Sequence, residues 1–315
     1  MEGCPMLKYV GFRLLQALPV LVGITVASFV LIHLVPGDPA RVQLGPHATA
    51  AEVAALKRQL GLDRPLLAQY WSFLSGAVKF QFGESLALHQ PVGGVIRGKL
   101  GVTLWLLVYS LFVSLVLTFP FGVIAAVKRD RPVDHGIRVV GMTLFVMPVF
   151  WLGLLLSLIF GLELGWLPTG GYAHGVLGTL RSLTLPAVSL GLVLAPLFVR
   201  SLRASVIQTL DAGFVESARA RGLAERRVLV RHVLRNASIS TVTLVGLMVG
   251  SLVSGMVIVE NVFSIPGIGT QLVASVSARD FPMVQGLVIV MALAVIVVNL
   301  LTDLAYAAID PRVRL

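Results

Sequence analysis

The chain has 315 residues, of which 57% are hydrophobic and only 13% charged, more apolar surface than a water-soluble core of this size can bury. Its formal net charge is +10, so anionic lipid and nucleic acid are the partners to weigh, and the placement of the charges decides between them. The single cysteine, Cys4, excludes an internal disulfide, a Cys-x-x-Cys redox pair and a multi-thiolate metal site.

Residues 1–5, MEGCP, read as an extension before a natural start at Met6. The first apolar run, 14–35, has the length of about 20 residues that a bilayer core requires. Lys8 and Arg13 precede it as in a secretory signal, but the run is too long and no Ala-x-Ala site follows, so it is expected to be a retained helix. Pro36-Gly37-Asp38-Pro39 is a turn that stops it. Thr49 and Glu52 then have capping-box spacing, and Val53, Leu56 and Leu60 recur at helical intervals before Gly61, which predicts a short amphipathic helix. Tyr70, Trp71, Phe73, Leu74, Val78, Phe80 and Phe82 predict a second helix lying on the membrane face. Segment 36–99 is therefore expected outside the membrane, either as a cap on the outer ends of the spans or as a surface met by a delivery protein.

Gly93-Gly94-Val95-Ile96-Arg97-Gly98-Lys99 matches most of a phosphate-binding loop, but Leu100 stands where Ser or Thr must hold magnesium, and no clear strand precedes it. Five further spans follow at 100–127, 139–162, 183–199, 237–259 and 286–302, and none of the six contains Lys, Arg, Asp or Glu. The fourth, equal in length to the sixth and shorter than the others, holds Pro186 and Pro196, which predicts a kinked or unusually seated helix. With the N-terminus inside, sixteen Lys and Arg fall in cytoplasmic segments, while the two short outer loops hold only Arg181 and Arg279. That sorting places both termini in the cytoplasm and explains the basicity as a topology signal, with no call for nucleic acid. The expected architecture is an all-α integral membrane protein with six transmembrane helices. Residues 1–98 carry the first helix and the external segment, 99–309 a permease domain, and 310–315 a cytoplasmic tail.

Catalytic constellations are not found. Ser254 lies in Val-Ser-Gly rather than in a nucleophile motif, Glu260 and Asp303 flank their spans at opposite faces, and the six histidines are scattered over both sides. An ion-coupled transporter would show ionisable groups deep in its spans, and these spans have none.

The informative segment lies between spans four and five, in the cytoplasmic loop 200–236. Asp211 is an expected N-cap and Gly222 an expected residue just past the C-terminus of a short helix. Phe214, Ala218 and Gly222 fall at i, i+4 and i+8, an apolar small-residue face that another protein's groove can approach. The alternative is a surface helix that merely orients span five. Arg226, Arg227, Arg231 and Arg235 beside Val228, Val230, Val233 and Leu234 then predict an amphipathic helix feeding that span.

Here the chain resembles the membrane subunits of bacterial ABC importers, whose cytoplasmic loop reads Glu-Ala-Ala, three residues, Gly. Glu216-Ser217-Ala218 and Gly222 follow that pattern with one departure, Ser217. The resemblance to the dipeptide/oligopeptide permease family continues through His33-Leu34-Val35-Pro36-Gly37-Asp38-Pro39-Ala40, Phe150-Trp151-Leu152-Gly153 and Leu164-Gly165-Trp166-Leu167-Pro168. It extends through Arg231 to Ala237, Glu260 to Gly269, Arg279-Asp280-Phe281-Pro282 and Asp310-Pro311-Arg312, and the long 36–99 segment points to the B-type subunit.

The resemblance implies a type I ABC importer permease fold in the inner membrane and a second, C-type permease subunit. It also implies one or two cytoplasmic ATPases that carry ATP and magnesium, and an extracytoplasmic solute-binding protein. The chain itself is then non-catalytic, binds no cofactor or metal, touches lipid, and passes peptides. Nickel, haem or oligosaccharide are alternative cargoes within the same machine. The resemblance also marks Pro266, Gly267, Gly269, Gln271 and Ser275, in the turn and predicted short helix Thr270 to Ser277, as an outer gate or binding-protein contact; a plain structural turn is the alternative.

Overall fold

The structure is a computed structural model that describes residues 5–34, 41, 44, 47–59 and 61–309. Cys4, the Pro36-Gly37-Asp38-Pro39 turn, Asp310-Pro311-Arg312 and the tail lie outside the described residues. The described residues are helical apart from turns and one isolated bridge between Glu84 and Pro91. They fall into two compact units, one within Met1–Thr103 and Pro266–Ile296, the other within Leu104–Ile265 and Val297–Leu315.

In the first unit, α1 is Pro5–Leu34 and α2 is Ala50–Gln59. The capping box forms as the sequence predicts. Thr49 N donates to Glu52 Oε2 at 2.8 Å, and Glu52 N donates back to Thr49 Oγ1 at 3.3 Å. These bonds from Thr49, its backbone N–H foremost, hold the Glu52 carboxyl below its ordinary value. At the other end Gly61, with φ +67°, turns the chain, and Leu62 N bonds Lys57 O at 2.9 Å.

Helix α3 is Leu66–Val78, so Phe80 and Phe82 follow the helix rather than belong to it. Helix α4, Val92–Val127, starts eight residues before the expected span. Val92 and Ile96, one turn apart, are buried with Ile268, Met283, Leu287 and Val290, which is why the helix begins there. The phosphate-loop-like residues 93–99 are thus helical, and their backbone N–H groups are turned along a helix axis rather than around a phosphate. Helix α10 is Ile268–Ser277, and α11, Phe281–Ile309, leads out of this unit.

The second unit is built on α7, Val176–Leu210. Its apolar stretch is 61% buried, which makes it the inner helix of this unit. The expected fourth span, 183–199, was short; the observed helix is 35 residues long and runs through Pro186 and Pro196 without a break. Thr179, Ser182 and Ser189 lie on its buried face and lower its apparent hydropathy. Around it pack α5, Pro132–Val146, α6, Val149–Glu163, and α9, Glu225–Val262.

The expected span 139–162 is not one continuous helix: α5 and α6 meet at 106°. Pro148 lacks an N–H and disfavours helical geometry in the residue before it, and Met147 is accordingly extended, with ψ 131°. Among the described residues, four helices are long and apolar enough to cross a bilayer, or five if the bent pair counts as one span, and α1 contributes a shorter apolar stretch, Leu15–Val30.

Candidate coupling site

Helix α8, Gly213–Ala220, follows α7 after a two-residue turn. Asp211 does not cap it. With φ −84° and ψ 2°, Asp211 closes the last turn of α7, its N–H bonding Ile207 O at 3.3 Å, and Ala212 stands at the N-cap without a side-chain bond. The expectation at the other end holds: Gly222 has φ +76°, Gly222 N bonds Arg219 O at 2.8 Å and Leu223 N bonds Ala218 O at 3.4 Å. A side chain with Cβ at this position would add strain of about 1 kcal/mol or more.

The faces of α8 differ from the sequence reading. Val215 and Ala218 point inward and are buried with Ala126 of α4, Leu202 and Val206 of α7, and Val228, Val233 and Ala237 of α9. Ala218 is small because it fits against this chain's own helices, and it is not part of a face open to another protein. Phe214, 47% exposed, points outward. Glu216, Ser217, Arg221 and Gly222 are exposed with it. The Ser217 hydroxyl donates to Gly213 O at 2.9 Å, so the departure from Ala in the motif satisfies its own polar atom on the helix surface.

Two further features fix α8. Arg219 donates through Nε and Nη2 to the two oxygens of Glu225 at 2.8 and 3.3 Å, a bidentate pair that staples the helix across the Gly222 turn to the start of α9. The pair is exposed and contributes about 0–1 kcal/mol, so its effect is on orientation. Beyond it, Val228–Val233 winds as a π-helix inside α9, a wider turn of the kind that concentrates at functional sites.

Sequence reasoning missed the ion pair that supports this end of the molecule. Asp134, in the first turn of α5, has a fully buried side chain. Arg203 of α7 donates to it twice, Nε to Oδ1 at 2.8 Å and Nη2 to Oδ2 at 2.6 Å, and Arg138 lies 3.6 Å away, one turn on. Arg203 adjoins Leu202, which packs on Val215 and Ala218 of α8. The available signal was Asp134 itself, a carboxylate at the start of an apolar helix.

In the first unit, α10 occupies the place expected for a short helix. Ser275 and Gly269 are buried, Gln271 Nε2 donates to Ser275 Oγ at 3.1 Å, and Ile268 N bonds Thr103 Oγ1 at 2.9 Å. Ser275 therefore faces the chain's own core, which corrects the reading of it as a contact residue. Gly267 is also buried, Pro266 is exposed, and the exposed residues of α10 are Val273, Ala274, Val276 and Ser277.

Just beyond α10, the buried Asp280 carboxylate accepts from Ser85 Oγ, from Leu86 N at 3.1 Å, from Ala87 N at 3.4 Å and from Met283 N at 3.3 Å. It caps α11 and holds residues 85–87 onto it. Asp280→Ala is expected to lower stability by about 2–4 kcal/mol, because the buried Ser85 hydroxyl and Met283 N–H and the half-buried Leu86 N–H lose their acceptor, and Ser85→Ala by about 1–2 kcal/mol. Thermal unfolding of the detergent-solubilised variants measures both.

Known families match this arrangement along nearly the whole chain. Residues 118–315 match the family described as binding-protein-dependent transport system inner membrane component, and residues 6–107 match its N-terminal membrane component. The chain belongs to this family: it is a multi-pass inner-membrane permease subunit of an ABC importer. The glutathione transport system permease protein GsiC of Escherichia coli (strain K12) is 40% identical over 312 residues, covering 98% of this chain and 99% of the relative. GsiC of Salmonella choleraesuis (strain SC-B67) is 41% identical over 316 residues. In fold, the chain is similar to a solved structure of the MetNI methionine ABC transporter in an inward-facing conformation. The TM-score is 0.55 at 18% identity, over 69% of this chain and 96% of the other.

Proposed function

We propose that this subunit forms half of a translocation pathway for di- and oligopeptides, glutathione-like tripeptides included, and that α8 couples that pathway to separate cytoplasmic ATPases. The observation that carries the coupling role is the two-sided build of α8. Val215 and Ala218 are bolted to the ends of α4, α7 and α9, while Phe214, Glu216 and Ser217 face outward for a partner. A push on the outer face moves the helices to which the inner face is packed. ATP and magnesium belong to the ATPases, and this chain binds no cofactor of its own. A C-type permease subunit completes the pathway, and an extracytoplasmic binding protein delivers the solute. The peptide class is supported by full-length relatives that are named as glutathione permeases.

The test is uptake in cells that lack peptide importers and carry this chain together with a C-type permease subunit, the ATPases and the binding protein of its importer. Labelled tripeptide is expected to accumulate only while ATP is available. Accumulation of nickel, haem or oligosaccharide in its place would move the assignment to another cargo, and uptake driven by an ion gradient after ATP depletion would contradict it.

We also propose six spans with both termini in the cytoplasm. Tags at either terminus or at Arg129 are expected to be accessible only from the cytoplasm, and tags near Glu52 or Gly171 only from outside. An external C-terminus would contradict this topology. The turn and helix that carry Pro266, Gly267, Gly269 and Gln271 are proposed as the outer gate or binding-protein contact, and Val273 and Val276, exposed on α10, are the positions from which crosslinks to the binding protein are expected.

A further inference from the structure

Helix α3 carries no Asp, Glu, Lys or Arg between Leu66 and Val78, and it is bracketed by Arg64 and Lys79, both exposed. Its two sides are distinct. One side lies on α1: the rings of Tyr70 and Phe73 are centred 5.5 and 6.2 Å from that of Phe29, and the Tyr70 hydroxyl is 3.1 Å from Thr25 Oγ1. The other side exposes Leu67 by 69%, Trp71 by 60% and Val78 by 75%.

Thr25 lies nine residues before the end of α1 at Leu34, about 14 Å along the helix axis. That distance is about half the thickness of a bilayer core. If α3 rested on top of the membrane, Tyr70 would meet the end of α1 and not its middle. On α1, Leu15, Leu18, Val22, Val26 and Val30 are exposed, whereas Thr25 and Ser28 are buried. At thirteen residues α3 is about 20 Å long, too short to cross.

We propose that α3 is sunk into the leaflet next to Leu34, beside α1, with Leu67, Trp71 and Val78 against lipid acyl chains and Arg64 and Lys79 reaching the headgroup phosphates. The inference rests on α1 crossing the membrane and is independent of the transported solute. The charge-free stripe suits hydrocarbon, and the flanking cations mark the depth at which its ends leave it. A helix read from sequence as lying on the membrane face then acts as a lipid anchor within the leaflet that holds the external region at a fixed depth.

The test uses the full chain in phosphatidylethanolamine–phosphatidylglycerol vesicles with or without bromine on the acyl chains. In a variant with Trp105, Trp151 and Trp166 replaced by Phe, Trp71 is the only emitter, and its fluorescence is expected to fall about twofold in brominated vesicles, as for an indole at acyl depth. In a Cys4→Ser background, Leu67→Cys and Val78→Cys are expected to react with a water-soluble maleimide about tenfold more slowly than Glu52→Cys or Arg58→Cys, since hydrocarbon excludes the reagent. The labelling variants keep all four tryptophans, so a misfolded triple variant leaves that arm intact. Labelling at Leu67 as fast as at Glu52 would overturn the proposal. Slow labelling without bromine quenching would also overturn it, because a protein surface and not lipid would then cover the face.

Discussion

Arg203→Ala is expected to lower stability by about 2–4 kcal/mol, somewhat less than the loss for a fully enclosed ion pair because the Arg203 side chain keeps 18% of its exposure. The substitution leaves the buried Asp134 carboxylate with only the Asp130 N–H at 3.0 Å and the more distant Arg138. The two ways of breaking the pair differ in what they strand. Asp134→Asn removes the charge but keeps an acceptor, so its loss is smaller than that of Arg203→Ala, which strands a charge. Arg203→Lys keeps the charge but not the fork that bonds both oxygens at once, and falls between wild type and Arg203→Ala. Membrane abundance and thermal unfolding of the four proteins measure the order. Equal behaviour of Arg203→Lys and wild type would mean that only the charge, and not the bidentate geometry, joins α5 to α7.

The local features were the legible ones. The Thr49–Glu52 capping box, the Gly61 and Gly222 helix ends and most of the apolar helices follow from neighbouring residues in the chain, where propensity and hydrogen bonding are decided within a turn or two. The break at Pro148 carried an equally local signal, a proline inside an apolar run, and it was hidden by the length of the run. Helix α7 was underestimated for a different reason. Thr179, Ser182 and Ser189 face the interior, where Ser182 Oγ accepts from Ala173 N at 3.0 Å and the Ser189 hydroxyl donates to Leu185 O at 2.8 Å, so hydropathy alone cannot see how deeply the helix is buried. The ion pair from Asp134 to Arg203 and the clasp from Ser85 to Asp280 join residues 69 and 195 positions apart. Such pairs are tertiary facts, and no spacing rule brings them together.

The inward turn of Ala218 was likewise beyond the sequence. Eight residues make little more than two turns, too few for periodicity to say which small residue meets the chain's own core and which meets a partner. The structure divides α8 into two sets of positions with opposite expected phenotypes. On the inner face, Val215→Ala removes buried volume at a loss of about 2 kcal/mol, and Ala218→Leu forces extra volume between α4, α7 and α9 at about 1–3 kcal/mol. Both are expected to lower membrane abundance, with transport falling in proportion. On the outer face, Phe214 and Glu216 are exposed and lie outside the buried cluster, so with Phe214→Ala and Glu216→Ala abundance should hold while transport falls. Gly222→Val strains the positive φ and belongs with the inner set if the helix end gives way, or with the outer set if only docking suffers.

The most direct test of the coupling assignment is substrate-stimulated ATP hydrolysis by the assembled importer carrying Phe214→Ala and Glu216→Ala together, at wild-type abundance and with ATPase co-purification recorded. An exposed aromatic and a charged residue at the centre of a docking surface are each worth more than about 1 kcal/mol, so ATPase association or stimulated hydrolysis is expected to fall about tenfold or more. Wild-type association and wild-type stimulated hydrolysis in that double variant would contradict the role assigned to α8.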